Sequence, residues 1–207
     1  MNVFEMSNAI LFHPVDTFEY IKSRQKSISI ISCILLLFAV VVVRIASIFI
    51  VHYPIASIQP RDANIWLEIV KLLLPVLTWV ISCYAITAIS DGETLLREIF
   101  SAAVFSMIPY IVCTIPLAII TRVMGRDQLQ LYNTLNNIIL IWVLIIIFLS
   151  VRTLNDYTIV QTVKVCIISF ITMLLIWAVL TLIFALTSQL IQFLCNIVRE
   201  LRMIVIE

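Results

Sequence analysis

Five long apolar stretches constrain this chain more than any other feature: Ile28–Val51, Ile69–Ile89, Ile99–Ile120, Leu131–Val151 and Val163–Leu186. Crossing a hydrocarbon layer about 30 Å thick takes roughly 20 mostly apolar helical residues. Within lipid, every backbone N–H and C=O must be satisfied by a helix or a closed barrel. The apolar/polar alternation of a barrel strand is absent, so helices are expected. Composition bears on how much lipid is needed. Of the 207 residues, 63% are hydrophobic and 12% charged, with mean hydropathy +1.15. Soluble domains run at roughly 45–50% apolar and about 25% charged, so one globular core could not bury this surplus. The expected fold class is all-α, a polytopic bundle of five transmembrane helices spanning residues 28–186 as one domain.

Flanking segments add two expectations. Residues 1–27 form an N-terminal cytoplasmic or interfacial segment. There Pro14 follows His13 at a helix N1 position, and Val15, Phe18 and Ile21 recur at helical spacing opposite Asp16, Glu19, Lys22 and Lys26. That pattern predicts an amphipathic helix on the membrane surface. Residues 187–207 extend the fifth crossing as an amphipathic tail, with Leu190, Leu194, Ile197, Leu201 and Ile204 on one stripe. The first apolar run lacks a small-x-small cleavage site and reads as a retained anchor.

Charge sets topology weakly. Lys22, Arg24 and Lys26 precede the first crossing and favour a cytoplasmic N-terminus, which five spans convert into an outside C-terminus. With those three counted, the two sides balance at six against six, Arg97, Arg152 and Lys164 completing the inside and Arg61, Lys71, Arg122, Arg126, Arg199 and Arg202 lying outside. A formal net charge of +1 gives no basic face for nucleic acid.

Connections between crossings carry the polar residues. Ser90-Asp91-Gly92-Glu93, followed by Arg97 and Glu98, is the densest charged cluster. Ser90 or Asp91 is placed to cap the third helix, and Glu93 and Arg97 form an i, i+4 pair. With Arg152 and Asp156 it makes a candidate docking edge. Gly125 is a candidate positive-φ helix stop. Asn133, Asn136 and Asn137 make the fourth crossing polar at its entry, which marks it for packing inside the bundle. Pro75, Pro109 and Pro116 are kink positions in the second and third crossings.

Arg44 stands alone as a charge well inside a crossing, about two turns or roughly 10 Å from its end. It serves either to bind a buried acid or anionic ligand or to reach the headgroups beside Asp62 or Glu68. No Asp or Glu falls within the five stretches as drawn, and proton-coupled transporters usually place carboxylates near the midplane. Catalysis has little to work with. His13 and His52 fall on opposite sides, and no HExxH, GxSxG or phosphate-binding glycine loop occurs. Cys33, Cys83, Cys113, Cys166 and Cys195 are dispersed through apolar sequence and read as packing residues. A non-enzymatic protein with neither metal nor cofactor is expected.

Taken together, His13-Pro14 with Asp16 and Phe18, the Ser90-Asp91-Gly92-Glu93 turn with Arg97 and Ile99, Pro109-Tyr110, Asp156-Tyr157 and the Glu200–Arg202 region form a pattern that resembles the Yip1 family of five-span membrane proteins. The likeness is to its compact bacterial branch. Bacterial relatives often carry histidine where this chain has Asn155, and the long N-terminal region of eukaryotic members is missing. The resemblance implies a bacterial inner-membrane protein; some relatives are encoded near sugar ABC-transport systems. The leading expectation is an accessory or scaffold subunit that binds another membrane protein, such as ABC transporter subunits, with homo-oligomers allowed. Alternatives are a small channel or transporter using Arg44, and a membrane-shaping or trafficking factor.

Overall fold

A computed structural model describes residues 3–23, 30–51, 63–90, 92 and 94–206, with backbone only for Val3, Phe4, Arg126 and 198–206. Its α-helices are α1 (Val3–Phe12), α2 (Pro14–Ser23), α3 (Ile30–Ile50), α4 (Ile65–Ile89), α5 (Leu96–Phe105), α6 (Ile108–Ile120), α7 (Leu129–Asn155) and α8 (Ile159–Ile206). No strand occurs among the described residues. Five helical units are long and apolar enough to cross a membrane: α3, α4, α5 with α6, α7, and α8.

Most crossings begin earlier than the apolar runs do, because polar residues occupy the first turns. Asn64 caps α4 by accepting from the Leu67 N–H at 3.3 Å, which brings Glu68 inside the helix. Leu95 holds the N-cap position of α5, and Glu98 Oε2 accepts its N–H at 3.0 Å. Ser90 therefore does not cap this helix; it closes α4, its N–H donating to the Ile86 and Thr87 carbonyls. The reading that no acid lies within a crossing is corrected by the same shift. Glu68 and Glu98 both sit in helical first turns and both are buried.

Pro109 divides the third crossing. Its ring crowds the carbonyl four residues back, that of Phe105, where α5 ends. Ser106 and Met107 bridge the break, with the Met107 N–H turning to the Val104 carbonyl at 3.1 Å. This interrupted crossing is the most enclosed of the five, with 56% of its most apolar stretch buried, against 28% for α7. The polar entry of the fourth crossing thus does not mark an internal helix. Asn133 and Asn137 are exposed, Asn136 is half-buried, and none of the three bonds through its side chain among the described residues.

The N-terminal amphipathic helix is α2, but its apolar face is seated on protein. Phe18, Ile21 and Thr17 are buried, and Phe18 and Ile21 share a core with Phe105, Ile108, Ile146 and Leu154. Ahead of it, α1 adds Met6 and Ile10 to that core and touches α6. Since α6 begins about 18 Å along the third crossing at 1.5 Å per residue, α1 reaches well below the bundle end rather than lying on it.

Stops also differ from expectation. Gly125 has no positive φ; among the described residues the left-handed position belongs to Asp156, at φ 51° after α7. A short polar side chain tolerates that region better than most. At the other extreme, α8 has no stop before Ile206, and from Ala178 to Ile197 nearly every residue is exposed.

Candidate functional site

Alternating crossings place two polar clusters at opposite ends of the bundle. The first end gathers α2, the α4–α5 connection and the C-terminus of α7. Its centre is a closely packed knot around Gly92. The Gly92 N–H donates to the Thr87 carbonyl at 2.9 Å. A Cβ at this position would stand 2.5 Å from Asn155 Oδ1, 2.7 Å from Tyr157 Oη and 2.8 Å from the Thr87 oxygen. Glycine is required there by approach, not by backbone conformation. Asn155 Oδ1 accepts from Thr94 Oγ1 at 2.8 Å while its Nδ2 donates to the Val151 carbonyl at 3.0 Å. Tyr157 Oη donates to the Ser90 carbonyl at 3.0 Å. The asparagine that departs from the bacterial pattern thus works as the clasp between α7 and the turn.

Beside the knot, α2 docks on α7 through an ion pair between Lys22 and Asp156. Between them lies a cleft of about 300 Å³ lined by Val15, Glu19, Arg152, Thr153, Asp156 and Tyr157. Arg152 and Glu19 are exposed, and among the described residues neither side chain has a hydrogen-bond or ion-pair partner. The expected docking edge is therefore brought together in part. Gly92, Arg152, Asp156 and Tyr157 share one end, with Glu19 and Lys22 as members that sequence reading left out. Both carry the polar spacing of α2, yet nothing in the sequence fixes which helix that face meets. Arg97 lies elsewhere, lining a separate apolar groove with Ile30, Ile81 and Phe100. His13 links α1 to α2 and is exposed, while Pro14 opens α2. Asp91 and Glu93, with the proposed Glu93–Arg97 pair, lie outside the described residues, as do the side chains of Glu200 and Arg202.

The second end holds the buried ion cluster. Arg44, six residues from the end of α3, donates from Nε and Nη2 to Glu68 Oε2 at 3.2 and 2.6 Å. Lys71 Nζ reaches the other oxygen, Oε1, at 3.1 Å. The Glu68 side chain is 4% exposed, Arg44 38% and Lys71 61%. Tyr110, adjacent to Pro109, is buried beside the guanidinium, and Tyr132 lies close by on α7. Of the two partners open to Arg44 from sequence, Glu68 is engaged, and Asp62 lies outside the described residues.

Between the ends, a cavity of about 190 Å³ opens among Pro75, Trp79, Met107, Val143, Phe170 and Met173. Its walls are almost wholly apolar. The five cysteines form no disulfide; Cys33 Sγ donates to Ser101 Oγ at 3.3 Å, and Cys83 joins the core between α4, α5 and α8.

Comparison with known proteins gives one result. The family model of the Yip1 domain matches residues 8–181, most of the chain and all five crossings in part or whole. No curated protein and no solved structure gives a match.

Proposed function

Since the chain belongs to the Yip1 domain family, a non-catalytic family of membrane proteins, we propose that it is a non-enzymatic accessory or scaffold subunit of a bacterial inner-membrane complex. The observation that carries this reading is the cleft between α2 and α7, where Arg152 and Glu19 offer opposite charges without partners. Ionic groups of opposite sign set side by side at a surface select a complementary partner and fix its register. The knot of Gly92, Asn155 and Tyr157 fixes the end of α7 that carries Arg152, and the Lys22–Asp156 ion pair ties α2, with Glu19, to it. With Lys22, Arg24 and Lys26 toward the cytoplasm, this end is the cytoplasmic one, and the C-terminus lies outside. A sugar ABC importer is the partner to test first. Transport by the chain itself is less well supported, because the cavity at bilayer depth is lined by apolar side chains.

A photo-crosslinking amino acid at Glu19, compared with one at exposed Val123 on the other end, tests the reading in cells. We expect one membrane protein to be captured from position 19 alone, and the capture to fall in Arg152→Glu. Equal capture at both positions, or capture indifferent to Arg152→Glu, sinks the scaffold assignment.

A further inference from the structure

The second end carries an excess positive charge in a place where it has work to do. Two cations share one buried carboxylate, so the cluster of Arg44, Glu68 and Lys71 keeps a formal charge of +1. The other described charged side chains near this end, Arg122 and Asp127, are exposed and pair with none of the three.

The way Arg44 is held matters. Both of its contacts to Glu68 come from the Nε–Nη2 side of the guanidinium and converge on a single oxygen. A guanidinium has five N–H groups in a fixed fork. Three remain, two of them on the Nη1–Nη2 edge, and the Tyr110 hydroxyl can take one of the three. Lys71 also has two of its three N–H bonds unspent on Glu68. Free guanidinium edges and ammonium groups side by side are the donor set that recognises a phosphate.

Depth selects the same ligand. Glu68 and Lys71 are four and seven residues beyond the cap Asn64, and Arg44 is six residues short of the end of α3. At 1.5 Å per residue these lie roughly 6–10 Å inside their helix ends, a depth from which the half-buried Arg44 and exposed Lys71 side chains can extend to the headgroup layer. Exposed Trp66 in the first turn of α4 is the kind of residue found at that boundary. The N-terminal dipole of α4 adds positive potential.

We propose that Arg44 and Lys71 bind the phosphate of a net-negative ligand, with Glu68 as the positioning residue that turns the guanidinium edge outward. A headgroup such as that of phosphatidylglycerol and a free phosphate ion present the same chemistry, and experiment separates them. This site stands independently of the scaffold reading.

Protein reconstituted in nanodiscs of equal phosphatidylglycerol and phosphatidylcholine is examined by native mass spectrometry for retained lipid. Phosphorus NMR of the micellar protein with added inorganic phosphate forms the second arm. Retention of phosphatidylglycerol over phosphatidylcholine is expected, with Lys71→Gln lowering it about tenfold, the worth of one charge-assisted contact. Arg44→Ala risks misfolding by stranding Glu68, so the paired Arg44→Gln/Glu68→Gln variant removes the site while keeping shape. Preferential lipid retention lost in these variants establishes a headgroup site. Saturable phosphate binding lost in the same variants establishes a free-anion site. Equal retention of both lipids without phosphate binding, or variants that bind as the parent does, overturns the proposal.

Discussion

The two ends of the bundle solve the same problem in opposite ways. At the first end, polar groups are satisfied by close approach: Gly92 lets Asn155, Tyr157 and the Thr87 carbonyl converge, and every bond in the knot is between neutral groups. At the second end, the polar groups are full charges carried on helices, brought together by the pairing of α3 with α4. A neutral knot at a loop is sensitive to shape, since a single added carbon has nowhere to go. An ion cluster at a helix start is sensitive to charge balance, since Glu68 is buried and its partners are only half covered. The knot of one end therefore depends on shape, and the ion cluster of the other on charge.

The largest effect that separates them is expected from Arg44→Ala. Removing one partner of a buried ion pair leaves an uncompensated charge and costs about 3–5 kcal/mol. Lys71 still reaches Oε1, which places the loss toward the lower figure. Thermal unfolding in a fixed detergent should show the drop, and Arg44→Gln/Glu68→Gln should recover most of it. If the double variant unfolds as readily as Arg44→Ala, shape and not charge governs this end, and the contrast fails.

At the first end the sharper probe is Gly92→Ala. Overpacking of this kind costs about 1–3 kcal/mol, because the new Cβ meets Asn155, Tyr157 and a backbone carbonyl together. Asn155→Ala removes the nearest of these atoms. A double-mutant cycle should then show less than additive loss, with coupling on the order of 0.5–3 kcal/mol. Strict additivity in the same unfolding assay would mean that the knot is not the tight joint its geometry describes.

Much of this architecture is legible in the sequence, and the limits follow from physical causes. Five crossings can be read from hydropathy because lipid leaves the backbone so few options. Their true starts cannot, since an apolar run ends where the first polar turn begins. Glu68 sits one residue before the run starting at Ile69, and that residue is the partner of Arg44. The spacing of Phe18 and Ile21 reveals an amphipathic helix, but a membrane surface and a protein surface ask for the same stripe. Only packing shows that α2 rests on α7. Asn155 reads as a departure from a family pattern, yet its two-sided amide is what the Thr94 hydroxyl and the Val151 carbonyl require. Gly125 and Asp156 show the converse error: the glycine stays at negative φ and the aspartate takes the left-handed position.

A third region calibrates both ends. Midway through the bundle Trp177 Nε1 on α8 donates to Thr78 Oγ1 on α4 at 3.1 Å, just before α8 becomes exposed at nearly every residue from Ala178 to Ile197. Hydrogen bonds between membrane helices average about 0.6 kcal/mol, because the separated helices also find partners for their polar groups. Thr78 Oγ1 in addition donates to the Leu74 carbonyl at 2.7 Å, so it stays satisfied when the indole is removed. Trp177→Phe keeps an aromatic ring against α4 and deletes only the donor. Its expected cost is therefore about 0.6 kcal/mol, well below that of Arg44→Ala or Gly92→Ala in the same unfolding assay. A loss as large as either would show that α8 hangs on this single contact. The stability assigned to the two ends would then have to be shared with the middle of the bundle.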